Sequence, residues 1–499
     1  MMKSLSRVLL AACFLLIACS KNSDDFAIPP TVDAEPNAGV DVEDFMWKVM
    51  NYWYFWQEEV PDLADSRFPI SEQGTLDYTE FLLSEADPAD FFNNKLKFTE
   101  DRFSFFSDDY TTLTNSLSGI SNSNGLKFGL IRFTGSDDVF GVVRYIVAGS
   151  DAATKDINRG DLFTGVNGET LTTSNFRDLL FGEATTYTLN MATIEGDEVT
   201  PNDEEVSLTK TQGLTENPIF LDKIFEIDGK KIGYLVYNGF VNEFDEQLNE
   251  VFNSFKSGGV DNLVLDMRYN PGGSVNTATM LSSMIYGTNT NDVFIRARYN
   301  NKYQSVLERN NVEVRSFFLD KTTKGTGINT LNLSKVYILT TSGTASASEL
   351  VINGLTPYME VVQIGDVTRG KNEFSITMVD DRENRYVWNP ERRNQIKRGN
   401  NWAIQPLVGR NENSAGFSDY TSGLAPNFEL KEDLSNMGVL GDQNEPLLAK
   451  AIELITGATS GKRDFTVKMP AEIFMGSEMF TPLKDNMYVT EVPFIEMEQ

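Results

Sequence analysis

The sequence predicts a multidomain α+β protein with an N-terminal helical unit, a small β domain and an α/β core. Three observations predict this fold class. Large aromatic residues recur at helical spacing before residue 63, short strands with turn residues follow from residue 125, and strands alternate with helices from about residue 213. The chain has 499 residues. At about 100–200 residues per domain, this length accommodates two to four domains.

Charge and composition exclude several classes of function. The chain has 43 Lys and Arg residues against 72 Asp and Glu residues, a formal charge of -29, which argues against a protein that binds nucleic-acid backbones. It contains no histidine, so Ser-His-Asp and Cys-His mechanisms, His-containing zinc sites and imidazole bases are excluded. Acid–base chemistry must therefore come from Lys, Asp, Glu, Tyr or an activated hydroxyl.

Residues 1–19 have the pattern of a secretory signal peptide. Two basic residues precede an apolar run, Val8–Ala18, that is too short to cross a bilayer. The run ends in Leu16–Cys19, which resembles a bacterial lipobox and predicts lipidation of Cys19. A plain signal peptide that happens to contain cysteine is the alternative. Both cysteines of the chain lie in this segment, so the body has no thiol for a disulfide or for catalysis.

Residues 20–40 are predicted to be a linker, because they contain three prolines and begin with a polar, acidic stretch, Ser20–Asp25. That stretch resembles the export tags of surface lipoproteins in some Gram-negative bacteria, and a solvated tether explains it equally well. We expect a lipoprotein of the bacterial cell envelope, with the outer membrane favoured and either a periplasmic or a surface-facing orientation. Since an acidic body repels anionic head groups, attachment would come from the lipid.

Residues 41–113 are predicted to form the helical unit. Apolar side chains recur at helical spacing along its first segment: Phe45, Val49, Tyr52, Trp53 and Trp56. A buried helical face is favoured over the alternative, a surface that stacks on sugars or peptides.

Residues 114–212 are predicted to form the small β domain, with a glycine-flanked stretch at Gly125–Leu130 and an acidic hairpin at Glu195–Glu205. The pattern resembles the PDZ domain of bacterial proteases, in which a loop binds a peptide carboxylate and the following strand accepts the peptide as an extra strand. An unrelated small β domain is the alternative. The resemblance implies peptide contacts, through the carboxylate loop and an apolar pocket, at four residues: Leu126, Phe128, Gly129 and Leu130.

Residues 213–460 are predicted to form the α/β core. The predicted strands are 231–237, 262–267, 336–341 and 360–364, and the predicted helices begin near Asn242, Ser274 and Ala347. A closing helix is predicted at 446–455. The C-terminal tail, residues 461–499, carries no clear period and is expected either to wrap the body or to remain loose.

Two stretches of the core carry residues suited to catalysis. The first, Leu265–Gly273, contains a Gly-Gly turn that exposes backbone N–H groups of the kind an oxyanion hole requires. The second, Thr344–Glu349, places a serine at a strand-to-helix junction, where the helix N-terminus favours negative charge. Taken alone, the first could be only a tight turn, and the second an ordinary N-cap with Glu349 completing a capping box.

In this order the two stretches resemble the carboxy-terminal processing peptidases, also called tail-specific proteases. That family carries Asp-x-Arg-x-Asn-x-Gly-Gly, then Ser-Ala-Ser-Glu, then Gly-Glu-Pro-Thr-x-Gly-Lys-Gly, and the third block appears here as Gly365–Asn372. Lys371 lies 25 residues after Ser346, which is the spacing of the family. The domain order also matches, so the resemblance spans most of residues 41–455.

The resemblance implies a core like the crotonase and Clp-protease folds and a catalytic Ser-Lys dyad, with Ser346 as nucleophile and Lys371 as its general base. It also implies an oxyanion hole made by the Ala347 N–H and a glycine N–H, with Gly272 favoured over Gly273. A lysine amine can replace imidazole as the base, which suits a chain without histidine.

Glu349 and Thr368 match positions that support the active site of the family. One departure is Ser375, which stands where many members have a glutamine that orients the lysine. A hydroxyl can still hydrogen-bond the amine but reaches less far, which implies lower or more conditional activity. The lysine block also departs, with Asp366-Val367 in place of Glu-Pro and Asn372 in place of the final glycine.

The lysine must lose its proton near the working pH. Its ordinary pKa is about 10.4, and a fall of about 2–3 units requires burial in an apolar pocket that outweighs the negative charge of the body. We therefore expect that neither Glu349 nor Asp366 pairs with the Lys371 amine in the active state.

The sequence thus predicts a lipid-anchored serine endopeptidase that cleaves peptides or proteins near their C-termini, with a PDZ domain that binds the free carboxylate. Its partners would be such substrates and, through the lipid, a membrane; no metal or organic cofactor is implied, and the oligomeric state stays open. One alternative is a non-catalytic PDZ lipoprotein that captures C-termini. The other is a surface glycan-binding lipoprotein, which requires solvent exposure of Trp53 and Trp56.

Overall fold

The structure, a computed structural model, describes residues 39–195, 198–457, 471–481 and 485–493. The predicted signal peptide, the lipidation site Cys19 and nearly all of the predicted linker lie outside the described residues. Within those ranges, no helix is both long enough and apolar enough to cross a membrane.

The N-terminal unit is built around a helix with a buried aromatic face. Its helices and strand are α1 Asp41–Trp53, α2 Glu72–Leu82, α3 Pro88–Phe91, β1 Phe105–Ser107 and α4 Tyr110–Leu117. Trp53 is 1% exposed and packs edge-on against the rings of Tyr52 and Tyr303, and Trp56 is only partly exposed. The alternative of an exposed aromatic surface for glycans is therefore wrong for Trp53, because its ring is part of the core.

The small β domain follows. Its elements are β2 Ile120–Ser123, β3 Leu126–Phe133, β4 Val139–Ile146, β5 Leu162–Val166, β6 Glu169–Thr170, α5 Phe176–Phe181, β7 Thr186–Glu195, β8 Glu198–Thr209 and β9 Thr211–Thr215. Strands β3, β4, β5, β7 and β8 are antiparallel neighbours in one sheet. The predicted acidic hairpin corresponds to β7 and β8.

The sequence prediction of a carboxylate loop at Leu126, Phe128 and Leu130 is wrong. These residues and Gly129 lie in strand β3, and the three larger side chains are at most 3% exposed in the core of the domain. Alternate positions from Leu126 to Leu130 are apolar and face the core, where Phe128 contacts the rings of Phe163 and Phe181. The apolar pocket predicted at the same residues stays a prediction: Leu126 and Phe128 line a cavity beside the strand.

The remaining elements form the α/β core. They are β10 Ile219–Ile227, β11 Lys230–Tyr237, α6 Asp245–Gly258, β12 Asn262–Asp266, β13 Gly273–Ser274, α7 Val275–Ile285, β14 Val293–Tyr299, α8 Asn301–Arg309, β15 Arg315–Phe317, β16 Lys335–Thr340, α9 Ala347–Leu355, β17 Glu360–Gly365, β18 Glu373–Ser375, β19 Met378–Val379, β20 Ala403–Gln405, β21 Leu407–Asn413, β22 Phe428–Glu429 and α10 Pro446–Thr456. The four predicted strands and the predicted helices occur within about three residues of the expected bounds.

The large sheet has the order β10-β11-β12-β16-β17-β22 and is parallel from β11 to β22. Its four inner strands, β11, β12, β16 and β17, are largely buried, as expected for parallel strands covered by helices on both sides. The N-terminal unit packs into the same buried cluster as α6, α7 and α9. It also pairs β1 with β20, so the helical unit and the core share one interior.

The described part of the C-terminal tail wraps the body. It contains β23 Ala471–Gly476, which pairs antiparallel with β3 of the small β domain, and β24 Met487–Tyr488. β24 lies between β13 and β18 in a second sheet of the core, of order β13-β24-β18-β21-β14-β15. Of the two outcomes expected from the sequence, wrapping is the one that the described residues adopt.

Candidate active site

The two sequence stretches meet at one edge of the large sheet. β12 and β16 are adjacent parallel strands, with Val264 opposite Tyr337. Each strand is followed directly by one of the two motifs. The carboxyl ends of neighbouring parallel strands lie at the same edge of a sheet, so the topology brings the two motifs together. This is the edge at which α/β proteins bind their ligands.

Ser346 lies between β16 and α9 in a rare backbone conformation. Its φ is 65° and its ψ is -114°, a combination that costs a residue with a side chain about 1–3 kcal/mol. The side chain is fully buried, and its Oγ has no hydrogen-bond partner among the described residues. The Ser346 N–H donates to Glu349 Oε2 at 2.7 Å. Glu349 thus caps the helix as expected, while the serine hydroxyl remains available for chemistry.

Glu349 ties the serine segment to the lysine segment. Besides the Ser346 N–H, its carboxylate accepts the N–H of Lys371 at 2.9 Å, the N–H of Gly370 at 2.7 Å and the hydroxyl of Thr368. Burial raises the pKa of Glu349, and these four donors oppose that rise. The support predicted for Glu349 and Thr368 therefore takes the form of one buried carboxylate that fixes both main chains.

Lys371 has the environment that the sequence analysis required. The side chain is fully buried, and its Nζ lies 4.7 Å from the ring centre of Phe103. Burial lowers the pKa of Lys371 to about 8, although the charges of Asp485, Glu373 and Asp101 oppose the shift. Desolvation therefore outweighs the surrounding carboxylates, and the amine loses its proton at a lower pH than an ordinary lysine does.

The Lys371 amine contacts neither of the two carboxylates considered from the sequence. Glu349 accepts the main-chain N–H of Lys371, and Asp366 lies 3.4 Å from the amine of Lys431. The Lys371 Nζ instead donates to Asn486 Oδ1 at 2.7 Å. In this conformation the amine is bonded to the C-terminal tail rather than to Ser346.

Ser375 does not bond the lysine amine directly, contrary to the expectation from the sequence; Asn486 connects the two side chains. Ser375 Oγ donates to Asn486 Oδ1 at 2.8 Å and accepts from Gln405 Nε2 at 3.0 Å. Asn486 Oδ1 therefore accepts hydrogen bonds from both Lys371 and Ser375. Sequence reasoning missed this residue because it lies 115 positions after the lysine, in a segment without a periodic pattern.

Two of the three predicted oxyanion-hole residues, Gly272 and Ala347, lie beside Ser346, whereas Gly273 pairs with Met487 and Phe240. A Cβ at Gly272, where φ is 110°, would lie 2.6 Å from the Cβ of Ser346 and 3.0 Å from the N of Ala347, so only glycine fits. The Gly272 N–H, however, donates to Asn270 Oδ1 at 2.9 Å, which engages the donor that the sequence analysis favoured. Ala347 begins α9, so its N–H is one of the helix donors that lack an intrahelical partner.

Two sequence profiles match the chain. The N-terminal domain of peptidase family S41 matches residues 41–105, and the peptidase family S41 domain matches residues 231–384. The second match contains both motifs and the lysine block. Both profiles describe domains of peptidase family S41.

One solved S41 relative covers nearly the whole fold. A crystal structure of an S41 protease from Bacteroides fragilis superposes with a TM-score of 0.62 at 27% identity, covering 83% of this chain and 97% of that chain. A carboxyl-terminal-processing protease of Picosynechococcus sp. is 25% identical over 162 residues, which is 31% of this chain. That alignment spans only 32% of the length of the relative.

Replacing Glu349 tests whether its carboxylate holds the Ser346 and Lys371 segments in position. Glu349→Gln replaces one of the two carboxylate oxygens by an NH₂ group, which cannot accept a hydrogen bond. The buried N–H or O–H groups that donate to that oxygen would lose their acceptor. We expect a loss of about 2–3 kcal/mol in the free energy of unfolding and about 100-fold in kcat/KM, because Ser346 and Lys371 lose their common anchor. Denaturant unfolding and peptide-cleavage rates measure the two effects.

The matched control is Glu360→Gln, which changes a carboxylate that is largely exposed and paired with Lys335 on the surface. It should change the free energy of unfolding by less than about 1 kcal/mol, and kcat/KM by less than about fivefold. Equal behaviour of the two variants would contradict the anchoring role of Glu349.

Proposed function

We propose that this chain is a lipid-anchored serine endopeptidase that cuts peptides or proteins near their C-termini through Ser346 and Lys371. The observation that carries the proposal is that the Glu349 carboxylate accepts the main-chain N–H groups of both Ser346 and Lys371. The Lys371 amine beside them is buried, which lowers its pKa to about 8. A serine with an unbonded hydroxyl and a lysine that is readily neutral near pH 8 form a nucleophile and base that need no histidine.

In the proposed reaction the neutral Lys371 amine takes the hydroxyl proton of Ser346 while Oγ attacks the scissile carbonyl carbon. The charge that develops on the carbonyl oxygen is stabilised by the Ala347 N–H at the start of α9. Lys371 then gives the proton to the leaving amine, and a water that it deprotonates hydrolyses the acyl-enzyme. Because the amine now bonds Asn486, the first step also requires Lys371 and Ser346 to approach each other.

The finer parts of the proposal rest on the sequence and on compatible structural features. The small β domain would act as a PDZ domain, since the main chain of β3 can pair with an extended peptide. The parallel sheet with helices on both faces is compatible with a crotonase- or Clp-like core. Lipidation at Cys19 would hold the enzyme at a membrane of the cell envelope. Substrates with free C-termini would be its partners.

The test uses protein that begins at Ser20 and unstructured peptides with free or amidated apolar C-termini. Below pH 8, we expect kcat/KM to rise about tenfold per pH unit, because only the neutral amine acts as base, and to level off above it. Ser346→Ala should lose at least about 1,000-fold in cleavage while it still binds the peptides. Mass spectrometry of products and fluorescence anisotropy of labelled peptides give the two readouts.

A pH-independent rate, or cleavage retained by Ser346→Ala, would overturn the Ser-Lys mechanism. The hydrogen bond from Lys371 to Asn486 favours one second candidate, a non-catalytic lipoprotein that captures C-termini. Peptide binding without cleavage at any pH, in the wild type and in variants that release this bond, would select that candidate.

A further inference from the structure

The C-terminal segment, defined here by the described residues 471–481 and 485–493, lies along the edge of the small β domain. β23 pairs antiparallel with β3, with Gly476 opposite Gly129, and the N–H of Phe128 donates to Ser477 Oγ at 3.1 Å. Without β23, β3 would be an edge strand with unpaired main-chain groups. An edge strand of this kind binds extended peptides by adding one strand to the sheet.

Aromatic side chains of the C-terminal segment occupy a groove beside this edge. The ring of Phe480 stacks on Phe181 with centroids 3.9 Å apart, and Phe474 and Phe480 both contact the edge or face of Phe176. A cavity of about 500 Å³ continues this groove and is lined by residues of α4, β2, β3, α5, β9 and the C-terminal segment, many of them polar. The groove therefore has room for side chains beyond those that now fill it.

A buried ion pair holds the same part of the segment. Arg144 of β4 is 6% exposed, and its Nη1 lies 2.9 Å and 3.1 Å from the two carboxylate oxygens of Glu478. A guanidinium removed from water requires a carboxylate partner, since burial of an uncompensated charge is costly. Arg144 is thus a binding site for a carboxylate, to which it donates hydrogen bonds, and Glu478 now occupies that site.

Beyond residue 484 the segment crosses the active site. Asn486 Oδ1 takes the hydrogen bond of the Lys371 amine, and Met487 pairs in parallel with Gly273. A Cβ added at Gly272 would lie within 3.0 Å of three atoms: the Asn486 carbonyl oxygen, the Ser346 Cβ and the Ala347 N. The segment therefore contacts the base, borders the nucleophile and covers the predicted oxyanion hole at the same time.

We propose that the edge of β3, the aromatic groove and Arg144 form a peptide-binding site for segments that combine aromatic and acidic side chains, and that this chain's own C-terminal segment occupies it. The inference rests on the proposed function: occupation of the site places Asn486 on Lys371 and keeps the peptidase inactive. A substrate must displace the segment, and either an acidic side chain or a C-terminal carboxylate takes the place of Glu478 on Arg144.

The test uses a fluorescent synthetic peptide with the sequence of residues 471–481 as the probe and protein beginning at Ser20. In Glu478→Gln combined with Phe480→Ala, the segment loses its ion pair and its ring contact. We expect the probe to bind this variant at least about tenfold more tightly than wild type, and peptide cleavage to rise by a similar factor. Excess probe should then inhibit that cleavage, and a probe carrying Glu478→Gln should bind about tenfold more weakly.

Phe225→Ala combined with Glu226→Gln makes the same two changes in edge strand β10 and serves as the matched control. Should the first double variant fail to unfold cooperatively, Glu478→Gln alone, which preserves side-chain shape, supplies the same comparison. Probe binding and cleavage equal to the control overturn the inference, and reduced cleavage shows instead that Asn486 positions Lys371 for catalysis. Enhanced probe binding with no cleavage in any form supports the binding site and overturns the proposed peptidase function.

Discussion

Replacing Lys371 by methionine is expected to abolish cleavage and at the same time to stabilise the fold. The variant lacks the proposed base, so kcat/KM should fall by at least about 1,000-fold. The stability gain has a separate cause. Burial lowers the pKa of Lys371 to about 8, below its ordinary value of 10.5, so the protonated amine is less favourable in the folded chain than in the unfolded chain.

The pH dependence of this gain follows from the sign of the pKa shift. Below pH 8 both states of the wild type bind the proton, and the full cost of the buried charge, up to about 3 kcal/mol, is present. Between about pH 8 and 10.5 the unfolded chain binds more protons, so the stability of the wild type rises with pH. The advantage of Lys371→Met should therefore be largest at neutral pH and vanish near pH 10.5.

Urea unfolding at pH 7 and pH 10.5, with cleavage assays on the same preparations, measures both effects. Lys335→Met is the control, because Lys335 is a surface residue paired with Glu360 and its pKa is raised rather than lowered. A Lys371→Met protein that is less stable than wild type at pH 7, or whose stability difference does not change with pH, would contradict a buried, easily deprotonated lysine.

The second large effect concerns Arg268, which lies two residues after β12 in the first motif. Its side chain is 0% exposed and donates to both oxygens of Asp266, at 2.9 and 3.1 Å, and to both oxygens of Glu445, at 2.7 and 2.9 Å. Glu432 accepts a further bond at 3.1 Å. Arg268 therefore fastens the start of α10 to the end of β12, immediately before the turn that contains Gly272.

Arg268→Met should lower the free energy of unfolding by about 3–5 kcal/mol, because it leaves two buried carboxylates without their cation. Arg298→Met is the matched control: its pair with Glu412 is partly exposed, and such pairs contribute about 0–1 kcal/mol. Denaturant unfolding of the two variants gives the comparison. Similar losses in both would show that the Arg268 cluster contributes no more than a surface pair.

The motif residues themselves could be identified from the sequence because their pattern is local. The strands that lead to Asp266 and Thr340 are short apolar runs, and parallel pairing brings their ends to one edge. The spacing between Ser346 and Lys371 identified the lysine, and the need for burial anticipated the direction of its pKa shift. Assigning a loop to Leu126 failed because its alternating apolar residues belong to a strand.

The position of the C-terminal segment could not be predicted in this way. β23 and β24 are short, and their partners lie hundreds of residues earlier in the chain, as Arg144 lies 334 positions before Glu478. The segment carries no local pattern that reveals which edge it joins, because the side chains that contact Phe480 and Glu478 come from distant parts of the chain. The hydrogen bonds of Asn486 with Lys371 and Ser375 form only when the segment is placed there.

The sequence by itself determined the secondary structure of the core, the two motifs and the choice of lysine over histidine as the candidate base, since each follows from residue type and local spacing. Only the tertiary structure decided what surrounds that lysine. Segments distant in the chain bury the amine, place Glu349 against the main chain of Lys371 and supply the hydrogen bond from the amine to Asn486. Their effects on the amine exist only once those segments are packed together, because burial and hydrogen bonding are properties of the folded environment.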